Sequence, residues 1–182
     1  KSIFRVSSKG KKYLWEPFSE RYDGVYKTER NLYKNTCGNK LIFEENNLDL
    51  GLSFRYGWMN SENFGWIRKS ILVNKSVTSV RVELIDGLQN LLPYGVERFM
   101  QNQFSTLLDG YKKSELVKEY SLGLFRLESI PVDKAEPSEA LKVTTVWTCG
   151  LEKNIFLLSS RQLGQFRKGK EDRTFVSVMP SA

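Results

Sequence analysis

Residues 54–66, "FRYGWMNSENFGW", carry five aromatic rings in thirteen positions: Phe54, Tyr56, Trp58, Phe64 and Trp66. Between them sit the hydrogen-bonding groups Arg55, Asn60, Glu62 and Asn63. In an extended strand alternate residues share a face, so Phe54, Tyr56 and Trp58 form one row while Arg55 and Gly57 point the other way. Asn60 to Asn63 reads as a turn, and Phe64 and Trp66 begin the returning strand. Two kinds of chemistry fit this pattern. The rings can pack across the strands as core, where a ring pair adds about 0.5–1.5 kcal/mol beyond burial. Alternatively, the apolar C–H face of a pyranose can lie on an indole or phenol while its hydroxyls pair with amides, a guanidinium or a carboxylate. On the second reading Tyr56, Trp58 and Trp66 stack, and Arg55, Asn60, Asp86 and Asn90 bind hydroxyls. Asp86 and Asn90 belong to a polar tract with Gln89, Gln101, Asn102 and Gln103; its amides serve equally well to cap helices and tie down loops.

Other chemistries are narrowed by what the chain lacks. It contains no histidine, which removes Ser-His-Asp triads, Cys-His pairs and imidazole metal sites. Acid–base work would fall to carboxylates, Lys or Tyr. Glycoside hydrolysis needs two carboxylates about 5–10 Å apart; Asp86, Glu97, Asp109, Glu136 and Glu139 are the candidates, and nothing in their sequence context pairs any two. Cys37 and Cys149 stand far apart, without metal-ligand spacing, and read as two buried or half-buried thiols, a single disulfide between them staying open. No Gly-rich phosphate loop is present. Asn74-Lys75-Ser76 fits the glycosylation acceptor pattern, a triplet frequent by chance. The expectation is a chain without cofactor, metal or catalytic residue of its own.

The frame that must position these residues is mostly strand. Period-two alternation runs through "LDLGLSF" (Leu48, Leu50, Leu52 and Phe54 on one face), "GWIRKSILVN" (Ile67, Ile71 and Val73 against Arg68 and Ser70) and "TSVRVELID" (Val80, Val82 and Leu84 against Arg81 and Glu83). "SLGLFRLESI" and "LKVTTVWTC" follow suit, the latter with Leu141, Val143, Thr145, Trp147 and Cys149 on one side, and "KNIFLLSS" is a shorter apolar strand. Asn74-Lys75-Ser76 separates two strands at hairpin distance, which favours antiparallel pairing. One segment breaks the rhythm: Val96, Phe99, Met100, Phe104, Leu107 and Leu108 recur at helical spacing, predicting an amphipathic helix over about 96–109. A weaker helical pattern runs through "SSRQLGQFRKG". The fold class expected is mainly β, an antiparallel β-sandwich with this one helix and a short second one, in a single domain over 1–182 because no linker interrupts it.

Composition sets the partners. With 40% hydrophobic and 27% charged residues the chain is of ordinary globular type, and no apolar run approaches a membrane span. The net charge of +7 is uneven: residues 1–12 hold Lys1, Arg5, Lys9, Lys11 and Lys12 without an acid, a second excess lies in 161–173, and the remainder is close to neutral. A nucleic-acid binder concentrates cations with aromatics on a folded face; cations gathered at the two ends read as solvated termini. Neither a nucleic acid nor a membrane is therefore expected as partner. The compartment stays open between cytoplasm and periplasm. The chain opens on Lys1 without an initiating Met, and is expected to be a piece of a longer protein.

Three tracts, "FRYGWMNSENFGWIRKSILVNKS", "VRVELIDGLQNLLPYGVERFMQNQ" and "DKAEPSEALKVTTVW", resemble the amino-terminal β-sandwich of cellobiose phosphorylase-type enzymes and related (α/α)-barrel glycoside hydrolases. The shared features are a strand with a basic residue, a short L-x-N-x-S turn and a following strand ending in polar loop residues, here Arg68 to Ser76 and then Val80 to Asp86. The similarity spans about residues 47–160. It implies a galactose-mutarotase-like sandwich that supports a catalytic barrel of the same parent chain, lends loops to a site for oligo- or polysaccharide, and takes part in dimer contacts. The catalytic carboxylate of such enzymes belongs to the barrel. The alternative is a structural or protein-interaction sandwich whose aromatic row is a docking face for another domain.

Overall fold

The computed structural model describes residues 1–130, 138–139, 141–152, 155–156, 161–170 and 178–180. The fold is mainly β, 46% strand against 16% helix, with antiparallel sheets throughout. The chain divides into two compact units, 1–87 and 88–182, where the sequence suggested one undivided sandwich. The division falls just after Asp86-Gly87, a strand stop with none of the length of a linker.

The first unit is a two-sheet sandwich. Strands β1 (Ser2–Ser8), β2 (Lys11–Trp15) and β7 (Arg81–Asp86) form a sheet in the order β2-β1-β7. Strands β3 (Thr28–Lys34), β4 (Lys40–Asn47), β5 (Leu52–Ser61) and β6 (Gly65–Asn74) form a second in simple sequential order. Phe4, Val6 and Trp15 from the first sheet meet Leu52 and Phe54 from the second, with Tyr13, Tyr56, Leu72, Val80, Val82 and Leu84 packed around them. The Phe4 ring lies 5.3 Å from Trp15 and 4.9 Å from Phe54, centroid to centroid. Fully burying each such side chain is worth roughly 1.5–3 kcal/mol, so this cluster supplies much of what holds the two sheets together.

Several elements follow their sequence pattern. β6 spans the whole of the "GWIRKSILVN" tract, and Val80, Val82 and Leu84 do face the core. Others differ, each for a physical reason. β5 begins only at Leu52: residues 48–51 are a turn, closed at Gly51, whose φ is +64° and whose absent Cβ would sit 2.8 Å from the Ser76 Cβ. Leu48 is consequently exposed. β6 turns the opposite way from the expectation, with Arg68, Ser70 and Leu72 sharing the face of Trp58, Tyr56 and Phe54, and Ile67, Ile71 and Val73 on the exposed side. The segment after β6 is not a hairpin: β6 pairs with β5 and β7 with β1, so residues 75–80 carry the chain from one sheet to the other. Asn74 anchors that crossing, its carboxamide accepting from the Ser76 N–H and hydroxyl and donating to the Thr78 carbonyl.

The second unit contains helices α1 (Arg98–Gln103), α2 (Ser105–Tyr111) and α3 (Arg161–Arg167), and strands β8 (Lys112–Val117), β9 (Leu122–Leu127), β10 (Ser129–Ile130), β11 (Ser138–Glu139), β12 (Thr144–Trp147) and β13 (Val178–Pro180). Its four-stranded sheet runs β12-β9-β8-β13, and β10 pairs with β11. The helix expected over 96–109 is two segments, broken where Phe104 leaves helical geometry at φ −126°, ψ 31°. Met100 before the break and Leu108 and Tyr111 after it join one cluster with Val96, Leu127 and Leu92; Phe99, Phe104 and Leu107 stay exposed. α3 lies within the weaker helical tract. In β12 the face of Thr144 and Val146 is the more covered one, and Thr145 and Trp147, which the alternation sets on one side with Leu141 and Val143, are exposed. Of "KNIFLLSS", Ile155 and Phe156 belong to no strand, and the rest lies outside the described residues. Both cysteines are free and exposed, not buried as expected.

Candidate functional site

The β4–β5–β6 register assembles most of the aromatic tract at one end of the four-stranded sheet. It sets Phe43, Tyr56 and Ser70 in one row, Leu41, Trp58 and Arg68 in the next, and Asn60 opposite Trp66 in the last. Directly opposed residues share a face, so Tyr56, Trp58, Asn60, Arg68 and Trp66 stand on the same side of the sheet. That is the side from which Phe54 enters the core.

These residues are not equivalent. Tyr56 is enclosed: Phe43 stacks on it at 4.9 Å and 13°, Phe18 meets it edge-on at 5.4 Å, and the Arg68 guanidinium lies 4.7 Å from its centroid. With Phe43 arriving from β4 and Arg68 from β6, Tyr56 is a structural ring. Trp58 is half-buried and meets Trp66 perpendicularly, at 6.4 Å and 83°. Trp66 is 71% exposed. The pair forms an L-shaped corner, an open indole steadied by the edge contact of a second one, with Asn60 exposed across the ribbon and Phe64 exposed in the adjoining turn.

Arg68, which the sequence pattern left as a solvent-facing residue, joins the two sheets at this end. Its Nη1 and Nη2 each donate to one oxygen of Asp86 at 2.8 Å, and the Ser2 hydroxyl donates to the same carboxylate at 2.6 Å. Burial alone would raise the Asp86 carboxyl, and the hydrogen bonds from Arg68 and Ser2 bring it below its ordinary value. Asp86 therefore positions Arg68 and has its acceptor capacity occupied; it is not a free sugar ligand. No local signal in the sequence marked this role, because Asp86 is brought to Arg68 only by the packing of one sheet on the other.

Arg55 points away from this corner, to the opposite face. There it donates through Nε to Glu44, which also accepts from Asn31 Nδ2 at 3.0 Å and from the Tyr33 hydroxyl at 2.8 Å. The Glu44 side chain is only 3% exposed although it lies on the outer face. Burial pushes its carboxyl up, but the bonds from Tyr33, Arg55 and Asn31 outweigh that and hold it down to about 2. A depressed folded-state value means that Glu44 stabilises the fold above its unfolded value of 4.5 and that this contribution fades as pH falls toward 2. Glu44→Gln is expected to cost on the order of 2 kcal/mol at neutral pH and to flatten the stability curve between about pH 5 and 2. Urea titrations of both proteins across that range measure the difference; parallel curves would contradict it.

Asn90 belongs to the second unit, at a left-handed φ of 56°. Of the other candidate carboxylates, Glu97 stands at the start of α1 without a side-chain capping hydrogen bond, Asp109 accepts from Lys112 at 2.6 Å, and Glu136 and the side chain of Glu139 lie outside the described residues. At the same sheet end as Trp58, the β3–β4 turn forms an open recess of about 260 Å³ lined by Tyr33, Lys34, Asn35, Lys40 and Ile42. Lys34 belongs to the row of Leu41, Trp58 and Arg68. Among the described residues no group of three or more acids or cysteines is placed to hold a metal, and no helix is long and apolar enough to cross a membrane.

No protein-family model matches this chain, and no curated protein matches it either.

Proposed function

We propose that this chain is a non-catalytic β-sandwich module of a carbohydrate-active protein, a glycoside hydrolase or phosphorylase whose bond-making groups reside in a separate barrel. Its sugar contact is the Trp58–Trp66 corner, and its ligand an oligo- or polysaccharide. The observation that carries this reading is the open indole of Trp66. A large ring kept 71% exposed on a paired strand loses the burial that its size would otherwise gain. It does, however, present a rigid flat surface to the C–H face of a pyranose. Asn60 supplies a donor and an acceptor across the ribbon. The buried carboxylates Glu44 and Glu45 and the half-buried Asp86 are held by donors in structural roles, which suits a supporting module.

Titration of tryptophan fluorescence with neutral cello- and xylo-oligosaccharides tests this. Binding is expected in the wild type and a loss of about tenfold or more in Trp66→Ala, each tenfold being about 1.4 kcal/mol. Asn60→Ala should weaken binding less. Absence of any response across such sugars, or an unaltered Trp66→Ala isotherm, would remove the sugar from this corner.

A second reading has its own observation. The outer face of β6 exposes Ile67, Ile71 and Val73, at 36, 44 and 43%, an apolar row interrupted by the exposed Lys69, and exposed apolar residues of this kind are found where another protein domain docks. Under this reading Ile71→Lys abolishes association with the partner domain and leaves sugar binding intact.

A further inference from the structure

The cations of residues 1–12 do not form a solvated terminus. β1 is the central strand of its sheet, and Lys9-Gly10 closes the β1–β2 hairpin with both residues at positive φ, 48° and 76°. That is type I′ geometry, where Asn, Asp or Gly is the usual occupant of the first position because a longer side chain is strained there. This chain places a lysine at that position. Lys9, Lys11 and Lys12 are all exposed. The strand register then sets Lys12, Ser7 and Arg81 side by side across three strands, on the face opposite Phe4 and Val6. Lys12 and Arg81 are thus about 10 Å apart, two strand spacings, with a hydroxyl between them. Arg81 is 82% exposed. The neighbouring acid is Glu83, already paired with Arg5 and 3.9 Å from Arg81. Topology puts this cluster at the end of the sandwich away from Trp66: Arg81 begins the strand whose last residue, Asp86, is tied to Arg68.

We propose that this hairpin end is a second binding site, for an acidic polysaccharide. Lys12 and Arg81 share the outer face, Lys9 sits in the turn and Lys11 at the edge of the other face. With their backbone already fixed, a polyanion has only the side chains to order, so the backbone entropy that a flexible basic tail would lose is not at stake. Alternation of cation, hydroxyl and cation across the sheet suits a polymer that alternates carboxylate or sulfate groups with hydroxyls. A nucleic acid is the poorer fit: the rings of the hairpin, Phe4, Tyr13 and Trp15, all pack in or against the core and offer no surface for base stacking. The choice of a sugar polymer rests on the carbohydrate reading above, and the site itself is separate from the tryptophan corner.

Isothermal titration with polygalacturonate and with heparin, at low and at physiological salt, tests the proposal. The wild type is expected to bind both, more weakly as salt rises. The combined variant Lys9→Asn, Lys11→Gln, Lys12→Gln should lose about tenfold or more in affinity, with an unchanged circular dichroism spectrum and a melt no lower than that of the wild type, since all three side chains are exposed and Asn relieves the strain of the turn. Trp66→Ala should bind these polymers as the wild type does. If the combined variant binds unchanged, the site is wrong. If a DNA duplex of matched charge binds more tightly than either polysaccharide, the ligand class is wrong. Binding of polygalacturonate without binding of any neutral sugar would sink only the tryptophan corner.

Discussion

Replacing Asp86 by Ala is expected to lower the stability of the first unit by about 3–5 kcal/mol, the cost of stranding a desolvated charge. The Arg68 and Asp86 side chains are only 12 and 18% exposed, and their two-point hydrogen bond runs between strands of different sheets. Without Asp86 the guanidinium keeps its place over Tyr56 with no counter-charge, or swings out and uncovers that ring. Either route opens the end of the sandwich that carries Trp58 and Trp66. Urea denaturation followed by tryptophan fluorescence measures the loss directly. The double variant Arg68→Met, Asp86→Leu separates charge from packing. It should recover most of the stability, because well-packed apolar residues commonly match a buried ion pair. A single-variant cost below about 1 kcal/mol would mean that the pair behaves as an ordinary surface salt bridge.

Glu45→Ala is the second change with a large expected effect, again about 3–5 kcal/mol. Glu45 is buried on the core side of β4 and accepts three hydrogen bonds: Trp15 Nε1 at 2.8 Å, the Phe18 amide at 2.7 Å and Arg30 Nε at 2.7 Å. Truncation leaves the Trp15 indole N–H and a backbone N–H unsatisfied in the interior, each at about 1–3 kcal/mol, and releases the arginine from its partner. The indole then has no polar anchor against Phe4. Glu45→Gln should cost less, since its carbonyl oxygen can still accept from two of the three donors. A midpoint shift equal for the two substitutions would show that the acceptor is unimportant and that volume alone matters.

How much of this was legible in the residue order depends on the kind of interaction. Alternation found β5, β6, β7 and β9, because the faces of a strand differ in solvent exposure and the residues follow. It misread β6, since Ile67, Ile71 and Val73 look like core and Arg68 looks like surface. The inward side belongs instead to Leu72 and to a cation whose charge is answered by Asp86, eighteen positions later. No local pattern carries that pairing. The same holds for Glu44 and Glu45. Two adjacent acids read as a polar stretch of strand, yet they point to opposite faces and both are buried, each under donors brought from other strands. Of the residues singled out for sugar contact, Trp58, Trp66 and Asn60 share one corner. Tyr56 is enclosed beside it, Asp86 is engaged by Arg68, Arg55 lies on the reverse face and Asn90 belongs to the second unit.

Sequence by itself determined the fold class, the aromatic row of β5 and the exclusion of imidazole chemistry from a chain without histidine, because strand period and residue type are local properties. Tertiary structure alone decided which indole is open, which carboxylates are occupied and that the basic amino-terminal segment is a rigid hairpin. Those outcomes depend on register and on sheet pairing between residues tens of positions apart. Only there is each side chain's access to water settled.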